Sequence, residues 1–252
     1  MANNTRFFVN NVILCGTNIV LIDSIIRHFF ALRLKKGDYI TLFNGDGFDY
    51  NCLILAISKQ HVELLVQYAQ LNNCELPVHL NLMMSLIQRE NFELVLQKSV
   101  EIGVSKITPI YSDFSQRIEK SKLENRLLRW QQIIINATEQ CGRNIIPEIV
   151  APIHLTQIME NFNHVDREKS CNIVCDFAGK NHILDLNISN YNNINLLVGP
   201  EGGFSVQELS VFSNSFRHYG INLGKQILRA ETASIVALGL LSQKIQYSKE
   251  GL

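Results

Sequence analysis

The sequence predicts a two-part molecule, a small β-rich region followed by a larger α/β domain on a mostly parallel sheet. Three observations carry this. The 252 residues exceed the roughly 150 typical of one domain. Residues 38–57 read as a hairpin. Beyond Pro77, apolar strand-like runs alternate with helix-like ones, the pattern of parallel sheets.

Residues 6–9 (RFFV) form a short predicted strand, and the apolar run 19–34 suits a helix. Residues 38–43 and 48–57 are rich in β-branched and aromatic side chains, with NGDG at 44–47 as the connecting turn. A third strand is expected at 61–68, and 70–77 reads as a linker. Further strands are expected at 78–86, 106–111, 171–177, 194–198 and 218–223. Helices are expected at 90–102, 121–141, 205–214 and 231–246, where apolar residues recur at spacings of three and four.

Composition narrows the function classes. The chain is 46% hydrophobic and 18% charged, which excludes disorder and collagen-like repeats. With 23 basic and 23 acidic residues, net charge is zero, so nucleic-acid binding would require a local basic patch. RHFFALRLKK at 27–36 supplies one: Arg27, His28, Arg33, Lys35 and Lys36, although a solvated helix face would look the same. Cysteines at 15, 52, 74, 141, 171 and 175 form no CxxC pair, so no metal site is expected. The first ten residues lack a secretory pattern and no apolar run reaches about 18 residues, so a cytoplasmic protein with reduced thiols is expected and no membrane span.

The most unusual composition is LLVGPEGGFS at 196–205, three glycines and a proline between a predicted strand and a predicted helix. Glycine lets backbone amides approach a ligand closely, and proline stiffens the turn. The loop is neither GxGxxG nor GxxxxGK followed by Ser or Thr, which disfavours phosphate cradling; a plain tight turn stays open as a reading. LGKQILRAETA at 223–233 again follows a strand and opens a helix. Arg229, Glu231 and Thr232 gather there, and Glu231 and Thr232 would also favour a helix start by charge and capping.

Together, GPEGGF and LGKQILRAETA resemble the ribosomal RNA uridine N3 methyltransferases of the SPOUT superfamily. QKSVEIGVSKITPI at 97–110, EQCGRNIIPEI at 139–149 and LFNGDG at 42–47 are similar to that family's other blocks, in the same order, so the resemblance covers nearly the whole chain. Two departures stand out. Arg89 of QREN lies near a position where the family usually has glycine. SDFSQR places Phe114 before Ser115, with Arg117 displaced from the family's Arg-Ser pair.

The resemblance implies a PUA-like β-barrel RNA-binding domain at 1–72 and a SPOUT methyltransferase domain at 73–252 with a deep trefoil knot. General topology rules would have argued against the knot. It implies S-adenosylmethionine (SAM) as cofactor, held by Leu197, Val198, Gly199, Pro200, Glu201, Gly202 and Gly203 in one loop. Leu223, Gly224, Ile227, Leu228, Arg229 and Thr232 would hold it from the other. Arg229, Glu231 and Glu201 become catalytic candidates, with Arg229 stabilising the uracil oxygens and Glu231 orienting it. The substrate would be N3 of a uridine in 16S rRNA of the small ribosomal subunit, by resemblance uridine 1498. The basic patch, Gln140 and Arg143 would contact that RNA.

Methylation at N3 needs no cysteine nucleophile, because N3 itself becomes nucleophilic on losing its proton, so Cys141 reads as structural. A homodimer is implied as well. The last helix carries Ala233, Ser234, Ala237 and Gly239 among larger apolar residues, a surface for close helix packing, although packing within one protomer would use the same pattern. Two rival readings are a non-catalytic RNA-binding assembly factor of the same fold and a ribose 2′-O-methyltransferase.

Overall fold

The computed structural model describes residues 5–22, 24–161, 169–213 and 218–250. The chain divides into two compact units, Met1–Glu75 with Thr138–Ile146, and Leu76–Ala137 with Pro147–Leu252.

In the first unit, strands β1 (Arg6–Phe8), β2 (Asn18–Leu21), β3 (Tyr39–Phe43), β4 (Phe48–Ile57) and β5 (Val62–Leu71) form a sheet in the order β1-β3-β4-β5-β2, with helix α1 at Ser24–Ala31. The β3–β4 hairpin turns where NGDG predicts. Asn44 Oδ1 accepts the Asp46 N–H, Asp46 Oδ1 accepts the Phe48 N–H, and the Tyr50 hydroxyl donates to Asp46 Oδ2 at 2.6 Å. Ile40, Leu42, Cys52, Ile54, Leu64 and Val66 point inward, and the Phe7 and Phe29 rings stack at 4.6 Å to seat α1 on this core. Among the described residues no ladder joins β1 to β2, and the shared core holds the five strands together.

The helix expected over 19–34 is corrected to a strand and a shorter helix. Asn18–Leu21 pairs antiparallel with β5, burying Leu21 and exposing Val20. Ile19 and Val20 are β-branched and suit a strand, and a free edge of β5 offers ladder partners that local sequence does not show.

Residues 138–146 join this unit through polar contacts. Arg6 grips Asp49 with two nitrogens at 2.6 and 2.7 Å and donates to the Arg143 carbonyl. Asn72 donates to Asp49 and to the Gly142 carbonyl, and Glu139 accepts the Phe8 N–H. Sequence distance hides this return of the chain.

The second unit is an eight-stranded sheet paired in parallel throughout. Its strands are β6 (His79–Ser85), β7 (Lys106–Tyr111), β8 (Glu148–Ile149), β9 (Ile153–His154), β10 (Ser170–Cys175), β11 (Asn181–His182), β12 (Asn193–Val198) and β13 (His218–Asn222). The order is β11-β13-β10-β12-β6-β7-β8, with β9 also on β7. Helices α2 (Arg89–Ile102), α3 (Lys120–Cys141), α4 (Leu155–Asn161), α5 (Val206–Ser213) and α6 (Ala230–Glu250) connect or follow the strands. Strands β6, β10 and β12 read as near-continuous apolar runs because such sheets are covered on both faces. The exceptions pair with each other. Thr108 donates to Asn81, Asn81 to Asn195 and Asn195 to Asn172, at 3.0, 3.1 and 2.9 Å, one polar row across four neighbouring strands.

Helix α6 spends much of its small-residue stripe within its own unit. Ala237, Leu238 and Leu241 are fully buried, the Ser234 hydroxyl donates to the Ala230 carbonyl, and the Ser242 hydroxyl donates to the Ile102 carbonyl at the end of α2. Of the two uses the pattern allows, packing within the protomer takes Ser234 and Ala237, leaving Val236 and Tyr247 exposed. No helix among the described residues is long and apolar enough to cross a membrane.

Candidate active site

Ligands of open parallel sheets bind beyond the carboxyl ends of the strands. Here β10, β12 and β13 end together around a cavity of about 310 Å³, near the lower limit of small-molecule sites. Its walls are Cys175, Asp176 and Phe177 after β10, residues 198–203 after β12, and Ile221, Leu223, Gly224, Gln226, Ile227 and Leu228 around the end of β13; Ala230 and Ala233 of α6 complete it. Val198, Ile221 and Ala230 make an apolar floor. Asp176 and Glu201 contribute carboxylates.

Crowding favours glycine at 199 and backbone conformation favours it at 203. A Cβ on Gly199 would stand 3.1 Å from the Gly203 carbonyl carbon and 3.2 Å from the Phe204 nitrogen, and Gly203 itself sits at φ +71°. The Gly203 N–H bonds back to the Pro200 carbonyl at 2.9 Å, so residues 199–203 form a closed turn presenting backbone to the cavity. Hydrogen bonds fix the other walls. Asp176 receives the Ala178 N–H on its side chain and donates its own N–H to the Ile221 carbonyl, and Asn222 donates to the Phe177 carbonyl and accepts the Gly224 N–H.

Of the residues expected to hold a cofactor, Val198 to Gly203, Leu223, Gly224, Ile227 and Leu228 line the cavity. Leu197 does not. It is fully buried in a core cluster with Met83, Ile110 and Phe212, on the opposite side of the alternating β12 strand from its neighbour Val198. Thr232 and Arg229 are also absent from the lining: within α6 residues 230 and 233 face the cavity and the helix turns Thr232 away, whereas Arg229 precedes the helix with its side chain 83% exposed.

The catalytic candidates separate in the same way. Glu201 lies on the cavity wall. Arg229 is 83% exposed, with a nitrogen 4.0 Å from Glu231, and its carbonyl accepts the Ala233 N–H at the start of α6. Glu231 is buried, and its Oε2 has no hydrogen-bond partner among the described residues.

In the first unit, Arg27, His28, Arg33, Lys35 and Lys36 are all exposed, on α1 and the turn after it. Gln140 is exposed. Arg143 is corrected: it is buried in an ion pair with Glu75, its Nε donating to Oε1 at 2.9 Å, which leaves it no surface for RNA.

The sequence reading missed Cys175, Asp176 and Phe177, because their position beside the glycine loop depends on β10 lying next to β12. The only local signal was Asp176 near the end of a predicted strand, with Gly179 just beyond it. Burial pushes the Cys175 thiol up to about 12, so it stays protonated.

Comparison with known proteins agrees with this geometry. A family model for an RNA methyltransferase domain matches residues 74–242, and one for an RNA methyltransferase PUA domain matches residues 21–67. The chain is 32% identical over 226 residues to ribosomal RNA small subunit methyltransferase E of Buchnera aphidicola subsp. Acyrthosiphon pisum, covering 85% of this chain and 84% of that one. It is 31% identical to the protein of the same name from Mesomycoplasma hyopneumoniae, with 92% and 96% covered. Among solved structures, ribosomal RNA small subunit methyltransferase E from Neisseria gonorrhoeae, bound to S-adenosyl methionine, superposes with a TM-score of 0.87 at 29% identity, covering 96% and 98%. A putative methyltransferase from Legionella pneumophila in complex with SAM gives 0.86 at 31% identity, covering 98% and 99%. With both domain models matched in order and relatives above 30% identity along most of its length, the chain belongs to the RNA methyltransferase family that includes ribosomal RNA small subunit methyltransferase E.

Proposed function

We propose that this protein is a SAM-dependent methyltransferase acting on N3 of a uridine in 16S rRNA, by resemblance uridine 1498. The observation that carries this is the cavity at the ends of β12 and β13, whose walls are the two glycine-bearing loops. Its chemistry fits the cofactor: backbone groups of 199–203 and 223–228 suit an adenine edge, the apolar floor suits its ring, and the Asp176 and Glu201 carboxylates suit the positive charges of the sulfonium and amino groups. SAM, when bound, supplies the electrophilic methyl group.

The protein's own residues do the rest. The uridine must leave any base pair to expose N3 to the cavity. As N3 loses its proton, charge spreads onto the uracil oxygens. Arg229, held by its backbone at the start of α6 and by a long 4.0 Å ion pair to Glu231, with its side chain 83% exposed, turns its guanidinium toward them. Glu231, close behind it, orients that guanidinium. Cys175 forms no covalent adduct, since a thiol held near 12 is not a nucleophile at neutral pH. The exposed basic residues of 27–36, together with Gln140, grip RNA. We further place the enzyme in the cytoplasm as a knotted homodimer that acts on the assembled small subunit. Mass spectrometry of 16S rRNA incubated with the protein and isotope-labelled SAM should find one labelled N3-methyluridine. A labelled ribose, or no label, would refute the assignment.

A further inference from the structure

A second cavity of the methyltransferase unit, about 200 Å³, opens where the start of α2, the loop after β7 and the middle of α3 meet. Three arginines line it: Arg89, Arg117 and Arg126. Neither Arg117 nor Arg126 has a carboxylate partner among the described residues. Arg117 is held by stacking its guanidinium 4.9 Å from the centre of the Tyr111 ring and by one hydrogen bond to the Ser112 carbonyl. Arg89 bonds through Nε to Glu93, but Glu93 is already gripped by two nitrogens of Arg129 at 2.6 Å each, so the charge of Arg89 is not cancelled.

Two further observations point the same way. Trp130 lines the cavity at 1% exposure, and its Nε1–H has no acceptor among the described residues. An orphaned buried donor is costly, so such groups normally have a partner. Helix α2 begins at the same cavity, and its N-cap residue Gln88 makes no side-chain cap bond, which leaves first-turn N–H groups and the positive end of the macrodipole facing outward. The exposed Glu90 is the acidic residue of that turn. Unpaired groups around this cavity are thus mainly donors or cations, and their complement is a compact, acceptor-rich anion.

We infer that this cavity binds a backbone phosphate of the substrate RNA. The inference rests on the proposed RNA methyltransferase function. Its loop is tied to the methyl-donor cavity: the Phe114 side chain packs 3.4 Å from where a Cβ on Gly202 would stand, and the Asp113 N–H is bound by Glu208 at 2.9 Å. A phosphate seated at Arg117 would therefore set the path of the strand whose uridine enters the first cavity.

Trp130 is the only tryptophan of the chain, so its emission reports this cavity directly. The full-length protein would be titrated, at constant ionic strength, with a short single-stranded oligoribonucleotide and with inorganic phosphate, while methyl transfer from labelled SAM is followed on the same samples. A saturable emission change with RNA, competed by phosphate and lost in Arg126→Ala, is expected. RNA affinity measured by anisotropy should fall about tenfold in Arg126→Ala and in Trp130→Phe, with SAM affinity unchanged. The slope of log affinity against log salt should fall by about 0.7 in Arg126→Ala. Active enzyme whose Trp130 emission ignores RNA, or whose RNA affinity is unmoved by Arg126→Ala, overturns the site and leaves the enzyme assignment intact. A full emission response with no methyl transfer does the reverse. Phosphate binding that RNA does not displace means an adventitious ion only and also overturns the site.

Discussion

A Cβ on Gly199 would press on the backbone of Gly203 and Phe204 at 3.1–3.2 Å, so the turn would have to give way to hold a side chain. Gly199→Val should open the closed turn and abolish SAM binding by isothermal titration, while circular dichroism stays native; unchanged affinity in a folded variant would put the cofactor elsewhere. Arg229 makes a different prediction because its side chain stands outside the cavity lining. Arg229→Ala should lower kcat by about a hundredfold or more, as for loss of one transition-state donor, while SAM affinity changes little. Equal losses in both quantities would make Arg229 a cofactor-binding or structural residue.

Helices α2 and α3 are joined by Glu93, which receives Arg129 from α3 and Arg89 from its own helix. Hydrogen bonding from Arg129 is the main cause that lowers the Glu93 carboxyl to about 2. The unfolded chain therefore takes up this proton at a higher pH than the folded one. The stability it contributes is full above about 4.5 and is lost as pH falls toward about 2. Glu93→Gln should cost about 1 kcal/mol at pH 6, since Arg129 is half-exposed. It should also flatten the fall in urea midpoint between pH 5 and pH 3. An equally steep fall in the variant would assign the acid sensitivity to other carboxylates.

For the molecule as a whole, a homodimer is expected, with RNA gripped by one protomer's first unit and methylated at its partner's cavity. Light scattering at micromolar concentration should give twice the mass of one chain. Mixing Arg229→Ala with a variant lacking Arg33, Lys35 and Lys36 should restore activity if sites are shared. A fully active monomer would defeat the dimer, whereas a dimer without complementation would defeat only the sharing. Because α6 buries Ala237, Leu238 and Leu241 within its own unit, any dimer contact by that helix must use its remaining face, including Val236 and Tyr247.

Local chemistry was legible from the residues alone. NGDG closes its hairpin through its own side chains, the strand at 106–111 and the helices at 90–102 and 121–141 follow from apolar period, and the glycine loop declares a close backbone approach. These features depend on neighbours within a few positions. Whatever depended on partners distant in sequence was not legible. Residues 18–21 became a strand because β5 offered an edge, Arg143 is buried because Glu75 meets it, and Asp176 reached the cavity because β10 lies beside β12. Leu197 was lost to the core for a local reason, since strand alternation turned it away from Val198, but which face meets the core depends on the packed sheet. The sequence specifies each segment's conformation and its reactive groups. Which groups share a cavity is set by strand order and burial, and those are properties of the packed chain.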